Sequence, residues 1–142
     1  MDLNLDRVKE ALNELKSPCK SIPAIQIAGT NGKGSIASFL ESALKFSGVK
    51  TGLTTSPHLI SWCERISING RKISIQDLIK IIEEVLIKTK KNQLTPFEIL
   101  ITSAFKYFDS NNVEIIVLET GLGGRLDATT AHPYRPIIAF SG

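Results

Sequence analysis

The sequence predicts an α/β fold in which a mostly parallel β-sheet carries helices on both faces. Apolar segments of strand length alternate with segments of helical periodicity along the 142 residues, as in parallel sheets. A glycine-rich turn, residues 29–34, joins the first apolar segment to a helical one. The Asn69-Gly70 pair, which favours a tight turn, predicts a β-hairpin inserted into this order.

Composition limits the class of protein. The chain is 42% hydrophobic and 22% charged, which is ordinary for one globular domain. A net charge of +3 with a single tight basic cluster, residues 88–91, does not fit a nucleic-acid binder. No apolar run reaches the ~20 residues that span a bilayer. The N-terminus lacks a signal-peptide pattern, and Cys19 and Cys63 have no metal-ligand or disulfide spacing. We expect a cytoplasmic protein without nucleic-acid or membrane partners.

The first half of the chain predicts two helices and two strands. Apolar residues at helical spacing predict a helix over residues 5–16, and Ser17-Pro18 ends it. Residues 24–28 form a continuous apolar segment, which is typical of a buried strand. After the glycine-rich turn a helix is expected over residues 35–46, closed by a glycine. A second strand follows over residues 50–54.

The second half predicts the hairpin, two further helices and two strands. Residues 64–68 alternate at period two, and residues 71–73 form the return strand of the hairpin. Ser74 is placed to cap a helix, with Asp77 three residues later. Thr95-Pro96-Phe97-Glu98 combines an N-cap threonine, a proline at the first helical position and a capping-box glutamate. The remaining strands are expected at residues 113–119 and 136–140.

The glycine-rich turn between the first strand and its helix predicts a phosphate site. Glycines let the backbone turn sharply, so that several N–H groups and the helix N-terminus converge on one anion. Lys33 adds a full positive charge. We therefore expect nucleoside triphosphate binding by Thr30, Asn31, Gly32, Lys33, Gly34 and Ser35. An ordinary glycine-rich turn is the alternative.

Three distant segments are expected to meet at one edge of the sheet. Ligands of parallel sheets bind beyond the carboxyl ends of the strands, which brings residues 29–35, 55–58 and 119–128 together. Glu119 ends a buried strand and could hold Mg²⁺. Because Gly34 follows the lysine where phosphate loops usually carry a hydroxyl, Ser56 is a candidate second ligand. A surface glutamate and a turn serine are the alternatives.

A second glycine-rich segment, residues 121–128, follows Glu119 and is a candidate substrate loop. Arg125 could meet a carboxylate or phosphate, and Asp127 could accept hydrogen bonds from the amino groups of a heterocycle. A flexible loop is the alternative. His58 and His132 have no evident catalytic partner, so we expect structural or surface histidines. Phosphoryl chemistry, in which positioning and charge neutralisation dominate, fits these residues better than covalent catalysis.

These motifs together carry a family resemblance. Ala28–Ser35, Thr55–Leu59 with Glu64–Ile66, Thr95–Glu98 and Glu119–Thr129 stand in the order found in one group. The chain resembles folylpolyglutamate synthase/dihydrofolate synthase, in the Mur ligase superfamily. The resemblance implies a P-loop NTPase-like fold, the Mur ligase central domain. It covers only the first part of such an enzyme, so it implies a truncated, partial ATP-binding domain over residues 1–142, with the C-terminal ligase domain absent.

The resemblance also implies an activity. It is ATP-dependent addition of L-glutamate to dihydropteroate or folates through an acyl phosphate, with ATP and Mg²⁺ as cofactors. The full-length enzyme is expected to be a monomer, and the activity of these residues alone to be incomplete. Lys33 then has a catalytic role, and Ser56 and Glu119 hold the metal. Implied pteroate- or folate-binding residues are Asp2, Thr95, Phe97, Leu126, Asp127 and Ala128.

Other functions remain open at this stage. A peptidoglycan-type Mur peptide ligase would share the phosphate loop, but the segment Gly121–Thr129 argues against it. A catalytically dead ATP-binding remnant would keep the loop without the chemistry. A P-loop kinase is disfavoured because Gly34 departs from its usual motif.

Overall fold

The computed structural model describes residues 5–121 and 126–142. These residues form α-helices and strands in the alternating order that the sequence predicts. The elements are α1 (Asp6–Glu14), β1 (Ala24–Gly29), α2 (Lys33–Phe46), β2 (Thr51–Thr54), β3 (Ile66–Ile68), β4 (Arg71–Lys72), α3 (Ile75–Lys88), α4 (Pro96–Ser110), β5 (Ile115–Glu119) and β6 (Ile137–Ser141). Short 3₁₀ helices lie at Trp62–Arg65, Lys90–Asn92 and Ala128–Ala131.

The strands form one six-stranded sheet in the order β4-β3-β2-β5-β1-β6. Strands β2, β5, β1 and β6 are parallel, whereas β3 and β4 pair antiparallel at one edge. The predicted mostly parallel sheet and the inserted hairpin are therefore confirmed. Strand β1 lies between β5 and β6, so the turn after β1 leaves the sheet beside the end of β5.

Helices cover both faces of the sheet, as predicted. Helix α2 packs on one face, where Ala37 meets Ile27 of β1 and Val117 of β5. Helices α1, α3 and α4 pack on the other face, where Phe105 lies over Ile116 in the larger core cluster. Successive residues of β5 thus point into two separate cores, which explains why the strand is apolar throughout.

The helix starts follow the predicted caps. The Ser74 side chain accepts a hydrogen bond from the Asp77 amide at the start of α3. At α4, Thr95 and Glu98 form a reciprocal capping box, with Pro96 at the first helical position. Helix α4 continues to Ser110. Local side chain–backbone bonds therefore determine where α3 and α4 begin.

One predicted strand segment is wrong. Glu64 and Arg65 belong to the 3₁₀ helix Trp62–Arg65, and β3 begins only at Ile66. The cause is local, because Ser61 and Glu64 form a capping box and the Glu64 carboxylate accepts backbone N–H groups upstream. This capping energy outweighs the period-two pattern, which is satisfied only from Ile66 onward.

No helix within residues 5–121 and 126–142 combines the length and apolar character needed to cross a bilayer.

His132 is a buried structural histidine, as expected. Its Nε2 lies 2.7 Å from the Ile22 carbonyl oxygen, so this nitrogen carries the proton, and its ring lies 5.2 Å from that of Phe105. Burial lowers the pKa of His132 below its usual value, and the hydrogen bond to Ile22 opposes the shift only in part. The folded protein therefore holds the neutral ring, whereas the unfolded chain takes up a proton more readily.

Acid should destabilise the protein partly through His132. Because the folded state favours the neutral ring, His132 contributes fully to the free energy of unfolding above about pH 6.5. This contribution is lost as the pH falls from there toward the lowered pKa of the folded state. We expect His132→Gln to reduce the slope of unfolding free energy against pH between 7.5 and 5, measured by urea denaturation. Equal slopes for His132→Gln and the wild type would contradict this assignment.

Candidate functional site

The turn after β1 has a backbone that only glycine fits at its first position. Gly29 has φ +130°, and a Cβ there would lie 1.9 Å from the Ser141 carbonyl oxygen of β6. Gly32, at φ +69°, immediately precedes α2. No described side chain caps this helix, so its first N–H groups are directed at an exposed turn. This geometry favours an anion at the helix N-terminus.

Lys33 lies across its own turn. Its Nζ donates a hydrogen bond of 3.1 Å to the Gly29 carbonyl oxygen at the exposed surface. The ammonium group is therefore held over the turn, where an incoming phosphate could compete for it. All six predicted phosphate-binding residues, Thr30 to Ser35, lie in this turn and the first residues of α2.

Glu119 joins the three predicted segments. It ends β5 and is buried, and its Oε2 accepts a hydrogen bond of 2.9 Å from the Ser56 amide. A Cβ at Gly34 would lie 3.5 Å from Glu119 Oε1, so the phosphate turn packs directly against the carboxylate. Glu119 thus meets two segments that lie 63 and 85 residues before it in the sequence, at the carboxyl edge of the sheet, as predicted.

The electrostatics of Glu119 suit a cation ligand. Burial raises the pKa of Glu119, whereas the Ser56 amide and the Lys33 charge lower it and offset part of the shift. A bound cation would favour the charged carboxylate. The described residues include no group of three or more acidic, histidine or cysteine side chains that could enclose a metal. Glu119 and the Ser56 hydroxyl fit Mg²⁺, which takes few protein ligands and fills its shell with water and phosphate oxygens.

A second surface lies where α4 begins. A Cβ at Gly121 would lie 2.9 Å from the Phe97 ring and 3.0 Å from Asp127 Oδ2. The Gly121 amide donates a 2.9 Å hydrogen bond to the same oxygen. Thr95 caps the helix that carries Phe97, and Ala128 is buried behind Asp127. Of the other predicted pteroate residues, Leu126 is 38% exposed and Asp2 lies outside the described residues. Arg125, predicted to meet a carboxylate or phosphate, also lies outside them.

Asp127 is already engaged by its own chain. Its buried carboxylate accepts bonds from the Thr129 amide and hydroxyl at Oδ1 and from the Gly121 amide at Oδ2. These bonds shape the end of the loop and cap the 3₁₀ helix Ala128–Ala131. A direct contact between Asp127 and a heterocycle therefore stays a prediction, and the observed role of the carboxylate is to position Gly121.

Two buried or half-buried polar contacts lie beside this surface and have no local sequence signal. Arg7 of α1 donates through Nε to both carboxylate oxygens of Glu98, at 3.1 Å each, and so joins α1 to the α4 cap. Gln26 lies in the middle of β1 and is buried. For Gln26 the sequence shows just a glutamine inside an otherwise apolar strand, and for Arg7 the partner Glu98 lies 91 residues away.

Similarity to known proteins covers most of the chain. It is 42% identical over 132 residues to the dihydrofolate synthase/folylpolyglutamate synthase of Bacillus subtilis strain 168, and 39% identical over 135 residues to the dihydrofolate synthetase of Saccharomyces cerevisiae strain S288c. These alignments cover 88% and 94% of this chain, but 31% and 32% of those proteins. The chain thus spans about a third of the length of these relatives. No family model matches it.

A solved structure shows the same fold. It is a bifunctional folylpolyglutamate synthase/dihydrofolate synthase with Mn, AMPPNP and L-glutamate bound. It superimposes with a TM-score of 0.93 at 33% sequence identity, over 99% of this chain and 34% of that one.

Proposed function

We propose, from the homology of this chain to dihydrofolate synthase/folylpolyglutamate synthases over 88% of its length, that it forms the phosphate- and magnesium-binding part of an ATP-dependent glutamate ligase. The reaction is the addition of L-glutamate to dihydropteroate or a folate. AMPPNP, Mn and L-glutamate are bound in the similar solved enzyme, which supports the choice of nucleotide, metal and amine.

The convergence of Gly34, Ser56 and Glu119 carries the proposal. A buried carboxylate is destabilising unless charges or hydrogen bonds compensate for its burial, and at Glu119 the Ser56 amide and the Lys33 charge do so only in part. The Ser56 amide fixes Oε2 of Glu119, and both carboxylate oxygens lie 3.5–3.6 Å from the position that a Cβ at Gly34 would take. A Mg²⁺ ion at this point would be bound by protein on one side and by nucleotide phosphates on the other.

The chain's residues would serve the reaction by position and charge. The N–H groups of residues 31–35 bind the phosphates, and Lys33 neutralises charge while the γ-phosphoryl group passes to the acceptor carboxylate. The resulting acyl phosphate is a better electrophile than a carboxylate, and the glutamate amine displaces inorganic phosphate from it. Bound magnesium supplies charge neutralisation at the transferred phosphoryl group.

The acceptor would bind at the second surface. The half-buried Phe97 ring offers a face for stacking a pterin, and Gly121 brings backbone within van der Waals distance of that ring. The hydrogen bonds of Asp127 hold the Gly121 backbone in place. The two surfaces meet the chain at the end of β5, where Glu119 lies against the phosphate turn and Gly121, two residues later, lies against Phe97.

The activity is tested by phosphate release. We expect the protein to bind AMPPNP more tightly with Mg²⁺ than without it, and to release phosphate from ATP only when dihydropteroate and L-glutamate are both present. Nucleotide binding without phosphate release under any substrate pair would favour a non-catalytic nucleotide-binding protein. Turnover with UDP-muramoyl substrates instead would favour a Mur peptide ligase.

The metal role predicts a selective defect for Glu119→Gln. We expect the Mg²⁺ concentration that half-saturates nucleotide binding to rise about tenfold or more, while metal-free nucleotide affinity changes little. Glu114→Gln is the matched control, because Glu114 precedes the same strand and also accepts a backbone N–H, from Lys50. Magnesium titrations followed by calorimetry check this. If the Glu119→Gln and Glu114→Gln curves superimpose, Glu119 does not hold the metal.

A further inference from the structure

Gln26 lies at a position of β1 where its side chain has almost no contact with solvent. Its neighbours Ile25 and Ile27 point into the core under α2, so the Gln26 side chain points to the opposite face of β1. There the connection between β5 and β6 crosses the strand, with Ala128 and Ala131 packed in the same cluster as Ala24. A buried amide is destabilising unless its donors and acceptor are paired.

Three hydrogen bonds satisfy that amide, and all of them reach the β5–β6 connection. Gln26 Nε2 lies 3.3 Å from Thr120 Oγ1 and 3.2 Å from Thr129 Oγ1, and Oε1 accepts a 2.5 Å bond from Arg135. These partners stand near the start, the middle and the end of the connection. We propose that Gln26 is a positioning residue that holds this connection, and through it the acceptor surface at Phe97, in register with the phosphate turn.

The chemistry of the partners fixes the direction of every bond. Arg135 can only donate, so the amide oxygen must face it and the NH₂ group must face the two hydroxyls. The Thr129 hydroxyl donates a 2.7 Å bond to Asp127 Oδ1, so it accepts from Gln26. A directed chain therefore runs from Gln26 through Thr129 to the Asp127 carboxylate.

The chain ends on the acceptor surface. Asp127 Oδ2 holds the Gly121 amide at 2.9 Å, and Gly121 packs against the Phe97 ring. Gln26 stands three residues before Gly29 on the strand that leads into the phosphate turn. One strand would thus set the distance between the two bound substrates, an inference that rests on the proposed function. Displacements of about 1 Å between reacting groups can cost roughly 100-fold in rate.

Two substitutions separate positioning from general stability. Gln26→Met removes all three bonds. Gln26→Glu keeps the side-chain shape and the bond to Arg135. The new carboxylate cannot donate to the Thr129 hydroxyl, and it competes with the Asp127 carboxylate for the single proton of that hydroxyl. Thr51→Val is the control, because Thr51 is fully buried at the far end of β2 and loses one backbone-directed bond. Global stability is measured by urea denaturation for each.

Amide hydrogen exchange by NMR gives a readout that needs no ligand. In both Gln26 variants the Gly121 and Thr129 amides should exchange about tenfold faster, the effect of losing one buried hydrogen bond. The Thr120 amide, bonded to the Ile27 carbonyl, should keep its rate. Gln26→Glu should show this local change without loss of global stability. Faster exchange across the whole sheet in Gln26→Glu, or unchanged exchange at Gly121, would overturn the proposal.

Ligand affinities complete the test. Dihydropteroate should bind about tenfold more weakly to both Gln26 variants, with Mg²⁺·AMPPNP affinity within about twofold of wild type, and Thr51→Val should change neither. An equal loss of both affinities would overturn the positioning role. If the wild type binds neither ligand, the proposed function fails, and the exchange rates at Gly121 alone decide whether Gln26 positions the connection.

Discussion

Replacing Lys33 with alanine is expected to weaken Mg²⁺·AMPPNP binding by about 10- to 100-fold, the range of a charge-assisted hydrogen bond. Stability should change by less than about 0.5 kcal/mol, because the side chain makes one hydrogen bond at an exposed position. Calorimetric titration and urea denaturation measure the two effects separately. The two measurements together separate a role of the ammonium group in nucleotide binding from a role in the fold.

The control for this substitution lies on the same helix. Lys45 stands in the last turn of α2, away from the phosphate turn, so Lys45→Ala removes the same charge without touching the site. Its nucleotide affinity should match the wild type within about twofold at physiological salt. Equal weakening in Lys33→Ala and Lys45→Ala would mean that net charge, and not a phosphate contact, attracts the nucleotide.

Gly29→Ala should have the largest effect on the fold. The new methyl group would lie 1.9 Å from the Ser141 carbonyl oxygen, at a φ of +130° that L-residues avoid. That carbonyl also accepts the Thr30 amide, so neither strand can move without breaking the β1–β6 pairing. We expect a loss of about 3 kcal/mol of unfolding free energy, together with loss of nucleotide binding.

Gly48→Ala separates the effect of backbone strain from the effect of a steric clash. Gly48 also has positive φ, at +81°, but a Cβ there meets no atom within 4 Å. It should cost about 1 kcal/mol and leave nucleotide binding unchanged. Denaturation curves and titrations of both variants check this. A Gly29→Ala protein with the stability of Gly48→Ala and normal nucleotide affinity would show that the observed turn is not required.

The fold was predictable because its signals are local. Thr95 and Ser74 cap their helices through side chain–backbone bonds to residues three positions later, and Asn69-Gly70 predicts the hairpin turn. The meeting of Gly34, Ser56 and Glu119 was also predictable, since parallel strands place their carboxyl ends on one edge. The Glu64–Arg65 segment was missed because its alternation and its capping box point to different structures, and the capping box dominates.

The polar contacts around the acceptor surface could not be predicted in the same way. Gln26 meets Arg135 across 109 residues, and Arg7 meets Glu98 across 91. The residue type shows only that a buried polar side chain needs a hydrogen-bond partner. The packing of the whole chain determines which residue that partner is. Asp127 illustrates the point, since the sequence indicated a hydrogen-bond acceptor but not that Gly121 and Thr129 would be donors to it.

The central claim is that the phosphate turn, Ser56 and Glu119 form one nucleotide and metal site. The most direct test is a crystal structure with Mn²⁺ and AMPPNP, in which anomalous scattering locates the metal. We predict a peak about 2.0–2.3 Å from oxygen atoms of Ser56 and Glu119, with a phosphate oxygen completing the contact to Lys33. A metal peak away from Glu119, or a triphosphate that does not touch residues 30–35, would contradict it.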